Sequence, residues 1–137
     1  MTATKYGKYF IKEPISIGKF VPNLRYSSDF ADTDFTIRWH YITGPYMMEE
    51  EPHAHDFDQF TCFIGGNPMD IREFDAEVEL FLGEEGERHI INATTIVYIP
   101  RGLVHCPLNF KTVNKPIMFM NIPLTSHYGK KETLPQP

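Results

Sequence analysis

The residues best suited to chemistry are the histidines: His40, His53, His55, His89, His105 and His127. His53 and His55 stand one residue apart in Pro52-His53-Ala54-His55. In an extended chain residues i and i+2 share a face, with Cα atoms ~6–7 Å apart. Two imidazoles so placed can converge on one divalent ion at nitrogen–metal distances near ~2.1 Å. Gln59 has the same parity, but four residues of straight strand span ~13 Å. Its amide therefore reaches such an ion only if the chain bends or bulges between His55 and Gln59. Taken alone, the pair is better explained by exposed histidines on an edge strand.

The elements that must position these residues read as short strands. Phe35–Ile42 alternates Phe35, Ile37, Trp39 and Tyr41 with Thr36, Arg38, His40 and Ile42. The bulkier odd-numbered set is the better core face, leaving Arg38 and His40 at the surface or at a subunit interface. In the reverse register Arg38 becomes an anion clamp and His40 a general base. Further strands are expected over 56–64, 77–82, 90–91, 96–99, 105–110 and 117–122, each closed by Gly, Pro or Asn. Tyr46–Glu51 is the one helix-like piece, a single turn. Glu49-Glu50-Glu51 reads as a solvated turn. Turns every 8–12 residues suit an antiparallel barrel or sandwich.

Composition agrees with one globular unit. The 137 residues are 42% apolar and 23% charged, with a net charge of −5 that disfavours binding to nucleic acid. No apolar run is long enough for a membrane span, and the N-terminus lacks a signal-peptide core. Cys62 and Cys106 make no disulfide framework, which points to a reduced, cytoplasmic protein.

Downstream, Pro100-Arg101-Gly102-Leu103-Val104-His105-Cys106-Pro107-Leu108-Asn109 reads PxGxxHxxxN. Together with Gly44-x8-His53-x-His55-x3-Gln59-x6-Gly66, it resembles the two motifs of the cupin family, over about residues 35–122. The resemblance implies an all-β fold, a single cupin double-sheet β-barrel over 1–137 with an N-terminal arm or strands (1–34) and a C-terminal tail (123–137). It further implies one metal ion inside, held by His53, His55 and His105 with Gln59 in the fourth position. The Pro100–Gly102 turn would aim His105, and Asn109 would brace its strand. The chain departs from the family pattern in having Gln59 for the usual acid and Thr94 where a glycine is expected. Asn67–Asp75 forms an added loop, a lid or, preferably, a longer hairpin.

Three imidazoles and an amide leave a divalent ion its whole +2 charge, favouring an anionic or oxygen-bearing small substrate. Mn, Fe, Ni, Co or Zn would suit these ligands. Cys106, next to His105, should point to the opposite face of a strand, and Cys62 is out of phase with Gln59. Both read as packed or interface thiols. Thr61 and Phe63 should continue the inward face of Gln59, and Pro107 that of His105. Candidate catalytic side chains are Arg38, His40, Tyr46 and Tyr98. His89 and His127 read as solvated. The resemblance implies a mononuclear metal enzyme, with either dioxygenase or lyase/isomerase chemistry. The ligand set is similar to that of manganese-dependent small cupins acting as hydroxynitrile lyases. A non-catalytic module binding a small ligand is the alternative. Small cupins commonly pair through the outer sheet, and Phe60, Cys62 and Ile64 would suit a homodimer.

Overall fold

The structure is a computed structural model that describes residues 4–17, 21–28, 30 and 33–127. The tail, from residue 128 onward, lies outside them. The described residues contain ten strands, one 3-10 turn at Gly7–Tyr9 and no α-helix. The strands are β1 (Ile15–Ile17), β2 (Pro22–Ser27), β3 (Thr36–Ile42), β4 (Tyr46–Glu49), β5 (Gln59–Gly65), β6 (Ala76–Leu82), β7 (Glu87–Ile91), β8 (Thr95–Ile99), β9 (His105–Val113) and β10 (Ile117–Pro123). They form two antiparallel sheets, ordered β1-β2-β3-β10-β5-β8 and β4-β9-β6-β7. No ladder between described strands joins one sheet to the other.

Alternation sets the core. Along β10, Ile117, Phe119, Asn121 and Pro123 are buried and the residues between them are half-exposed. Directly opposed residues of an antiparallel pair share a face, so the registers carry this inward face across the sheet. Ile42, His40 and Arg38 oppose Ile117, Phe119 and Asn121, while Phe63 and Thr61 oppose Phe119 and Asn121. Phe63 and Phe119 pack edge to face 5.5 Å apart, and Phe110 of the facing sheet closes on both. Interlocked rings of this kind dominate the burial of a small core.

The register overturns the preferred reading of β3. Its even-numbered face points inward, with Thr36 and Ile42 buried, whereas Tyr41 is exposed. The reason is the neighbour: β10 carries the stronger alternation, and β3 must match it. Tyr46–Glu49 is likewise a strand and no helical turn, because Tyr46 and Met47 pair with Phe110 and Asn109 of β9. Residues 15–17 and 22–27, within the stretch read as an N-terminal arm or strands, add two strands beyond β3.

The 67–75 segment lies at the Gly65 end of β5, six residues along the strand from Gln59. The Thr94 hydroxyl donates to Ile71 O (2.6 Å) and accepts the Gly65 N–H (3.0 Å). A Cβ on Gly65 would lie 2.0 Å from Glu73 O, so only glycine lets this loop fold back so closely. Thr94, where the family pattern has glycine, ties the loop down.

Candidate metal centre

His53 and His105 oppose one another in a two-residue bridge, exchanging N–H···O bonds of 3.0 and 2.8 Å. That pairing places both rings on one face, with centroids 4.5 Å apart. The His55 ring lies 4.8 Å from His53 and 5.2 Å from His105. It is buried and stacked on Phe57 at 4.6 Å. Two remote stretches of chain therefore bring three imidazoles together.

A clamp holds the second stretch in place. Leu103 N–H donates to Pro100 O, closing a turn whose Gly102 has φ +84°, a left-handed conformation that glycine adopts freely. The Gly102 N–H donates to His55 O (2.9 Å), and Asp58 Oδ1 accepts the Arg101 N–H (2.7 Å). The turn that aims His105 is thus bonded to the segment carrying His55.

The imidazole tautomers follow from hydrogen bonding. His53 Nδ1 faces Glu51 O at 2.8 Å, and His105 Nδ1 faces Leu103 O at 2.9 Å. A carbonyl only accepts, so both Nδ1 atoms carry the proton and both Nε2 lone pairs are left for an ion. Gln59 is buried, and its Nε2 donates to His105 Nε2 at 3.2 Å. The chain does bend between His55 and Gln59: β5 begins only at Gln59, and the bend at Asp56–Phe57 shortens the reach. Turning the amide over would present its oxygen instead. Burial is the main force holding His105 neutral, down to about 4 and well below the usual imidazole range; the Leu103 carbonyl opposes it, and His53 and His55 add to it. Three converging imidazoles, two of them oriented through Nδ1, fit a divalent cation.

These residues line an inner cavity of about 170 Å³, with Thr61, Asn121, Glu49, Cys106 and Arg38 among its walls. Thr61 donates to Asn121 at 3.1 Å. Cys106 corrects the parity argument. Leu80 and Leu82 oppose Leu108 and His105, so β9 carries one extra residue there. This bulge, where Cys106 has φ +82°, breaks the alternation. Cys106 is buried, and its sulfur and the ligand atoms of His53 and His105 lie within 4.8 Å of one another. Leu108 rather than Pro107 continues the inward face. Burial first, and Glu49 second, push the Cys106 thiol up to about 12. Glu49 corrects a second expectation. The bulge at Met48 in β4 brings it to the cavity wall, while Glu50 and Glu51 stay exposed.

The candidate catalytic residues separate. Arg38 lines the inner cavity and also an adjoining outer chamber of about 390 Å³, which His40 and Tyr46 line. The His40 ring packs 5.6 Å from Phe119, and its buried Nδ1 has no hydrogen-bond partner. Burial, then the Arg38 charge, lowers its pKa. Tyr46 stacks on Phe110, and burial raises its pKa. Tyr98 lies outside both cavities, on the outer face of β8, where its hydroxyl reaches Asp58 at 3.3 Å. Its partner in β5 is the outward-facing Phe60, which explains the miss. Asn109 braces β9 by donating to Glu79 at 3.0 Å. His89 is exposed against Glu87, and His127 is exposed. Of the residues suited to an outer-face contact, Phe60 is exposed and Ile64 half-buried, but Cys62 is buried.

No protein-family model and no curated protein matches the chain. Solved structures do. A Cupin 2 conserved barrel domain protein from Salinispora arenicola is 14% identical with a TM-score of 0.51, over 90% of this chain and 87% of that one. AerE from Microcystis aeruginosa is 16% identical with a TM-score of 0.53, over 80% of this chain and 44% of that one. An oxalate decarboxylase variant from Bacillus subtilis is 13% identical with a TM-score of 0.53, over 82% of this chain. The chain spans 27% of that enzyme and less than half of AerE. The shared architecture is the cupin fold. No helix among the described residues is long and apolar enough to cross a membrane.

Proposed function

We propose that the chain is one mononuclear metal-dependent enzyme unit acting on a small, oxygen-bearing or anionic organic substrate, with lyase or isomerase chemistry. The observation that carries this reading is the buried convergence of His53, His55 and His105, with Gln59 at 3.2 Å from His105 Nε2. These four residues would hold the ion. When bound, a divalent ion there supplies Lewis-acid polarisation of a substrate oxygen.

The other walls give the protein its own part. Arg38 stands where the inner cavity meets the outer chamber and would orient a negatively charged group. Glu49 is the one carboxylate among the described residues lining the inner cavity and would take a proton; Tyr46, which lines the outer chamber, would return one. Leu80, Ile99, Leu108 and Phe119 exclude water on the remaining side. Two buried, unpaired thiols support a reducing, cytoplasmic setting. The exposed Phe60, Ile96 and Tyr98 on the outer sheet support a homodimer, and sedimentation at micromolar concentration should give twice the chain mass; a monomer would contradict it.

The test of function is turnover of a panel of hydroxynitriles and keto acids by manganese-loaded protein without oxygen. Anaerobic turnover that His105→Ala abolishes is expected. Turnover dependent on oxygen would replace the lyase reading with dioxygenase chemistry. Stoichiometric binding with no turnover would favour the ligand-binding module.

A further inference from the structure

The inward face of β10 is apolar except at one position. Ile117, Phe119 and Pro123 share it with Asn121, which is only 4% exposed. The register partner of Asn121 in β5 is Thr61, 6% exposed, and both line the inner cavity. The Thr61 hydroxyl donates to Asn121 Oδ1 at 3.1 Å. That bond occupies the amide oxygen and fixes the orientation of the group, which leaves the two N–H donors of Asn121 Nδ2. Among the described residues, nothing else bonds to this side chain. Burying amide donors without an acceptor destabilises a fold, and in folded proteins such groups are nearly always met. An oxygen held in the cavity would meet them. Thr61 is also the next inward residue after Gln59, and residues i and i+2 of a strand lie ~6–7 Å apart. Gln59 in turn bonds to His105. The polar pair thus stands one strand step from the histidine cluster, with Leu80, Ile99, Leu108 and Phe119 as apolar walls. At about 170 Å³ the cavity is smaller than the roughly 300–1,000 Å³ of drug-sized ligand pockets, so its occupant must be compact.

We propose that Asn121 is a specificity-determining residue that takes an acceptor oxygen of a compact molecule carrying oxygens on two neighbouring carbons. One oxygen accepts from Asn121 Nδ2, while the other faces the histidine cluster. Thr61 is the positioning residue, because its hydroxyl holds the amide oxygen and so turns the N–H donors to the ligand. A site built to hydrogen-bond an oxygen rejects the analogue lacking it, since the buried donor is then left unmet. That the second oxygen meets a metal ion rests on the metal-centre reading above; that Asn121 receives the first does not.

The experiment is a titration of the full chain, zinc-loaded and metal-free, with hydroxyacetone and with acetone, followed by NMR through the asparagine side-chain amide signals. Saturable binding of hydroxyacetone to the loaded chain is expected, with the Asn121 signals moving as it binds. Acetone, which offers a single oxygen, should bind about tenfold more weakly. Asn121→Leu should remove that preference; Thr61→Val should reduce it and Thr61→Ser restore it. Unmoved Asn121 signals at saturation, an unchanged preference in either the folded Asn121→Leu or the folded Thr61→Val chain, or no saturable binding below about 50 mM would overturn the proposal. Where a variant does not fold, the Asn121 signals of the unmodified chain decide. Failure of the unmodified chain to hold zinc, with the Asn121 signals still responding to hydroxyacetone, would instead defeat the metal reading and leave this assignment standing.

Discussion

The two ends of β5 solve opposite problems. At the Gly65 end polar groups satisfy one another: Thr94 bridges Gly65 and Ile71, Asn67 and Lys115 both donate to Glu73, and Asp75 O accepts the Asn114 N–H. At the Gln59 end three histidines, a glutamine, a thiol and a carboxylate surround one small cavity, and two bulges turn the thiol and the carboxylate toward it. An end that closes its hydrogen bonds stabilises the fold. An end that turns donors and acceptors inward forgoes stability for a site where a ligand can complete them.

Substitutions at the two ends should therefore divide cleanly. His105→Ala has the largest expected effect: loss of more than about 100-fold in metal affinity by competition titration, with His89→Ala, on the exposed edge strand, unchanged. Equal losses from both would erase the distinction. Next is pH. The folded pKa of His105 is lowered from 6.5 to about 4, so between these values the unfolded metal-free chain binds a proton that the folded one does not. The stability tied to His105 is thus present above pH 6.5 and lost as pH falls towards 4. Thermal unfolding of metal-free protein should show this loss, and His105→Gln should flatten it. A profile identical in the variant would contradict it. The smallest effect belongs to the other end: Thr94→Val should cost about 1–2 kcal/mol of stability by leaving the Gly65 N–H unmet, with metal affinity unchanged by the same titration.

The sequence makes the fold legible wherever alternation is strong. Residues 36–42, 77–82 and 117–122 are strands as their patterns require, and PxGxxHxxxN marks the turn that presents His105. Parity places Gln59, Thr61 and Phe63 on one inward face correctly. Where it fails, a cause specific to pairing is at work. An extra residue in β9 turns Cys106 inward, another in β4 brings in Glu49, and neither bulge is visible in residue types alone. The inward face of β3 is chosen by β10, a neighbour 79 residues away at the His40–Phe119 pair, so local hydrophobicity could not select it. Arg25 belongs to a strand with no alternating apolar signal, and its place opposite Arg38 emerges only from the register.

X-ray absorption at the metal edge of protein loaded with a single equivalent of manganese or cobalt tests the central claim most directly. One ion per chain with a shell of imidazole nitrogen and oxygen is predicted from the convergence of His53, His55 and His105 with Gln59. A sulfur neighbour near ~2.3 Å, or no retained ion, would contradict the assignment to His53, His55, Gln59 and His105.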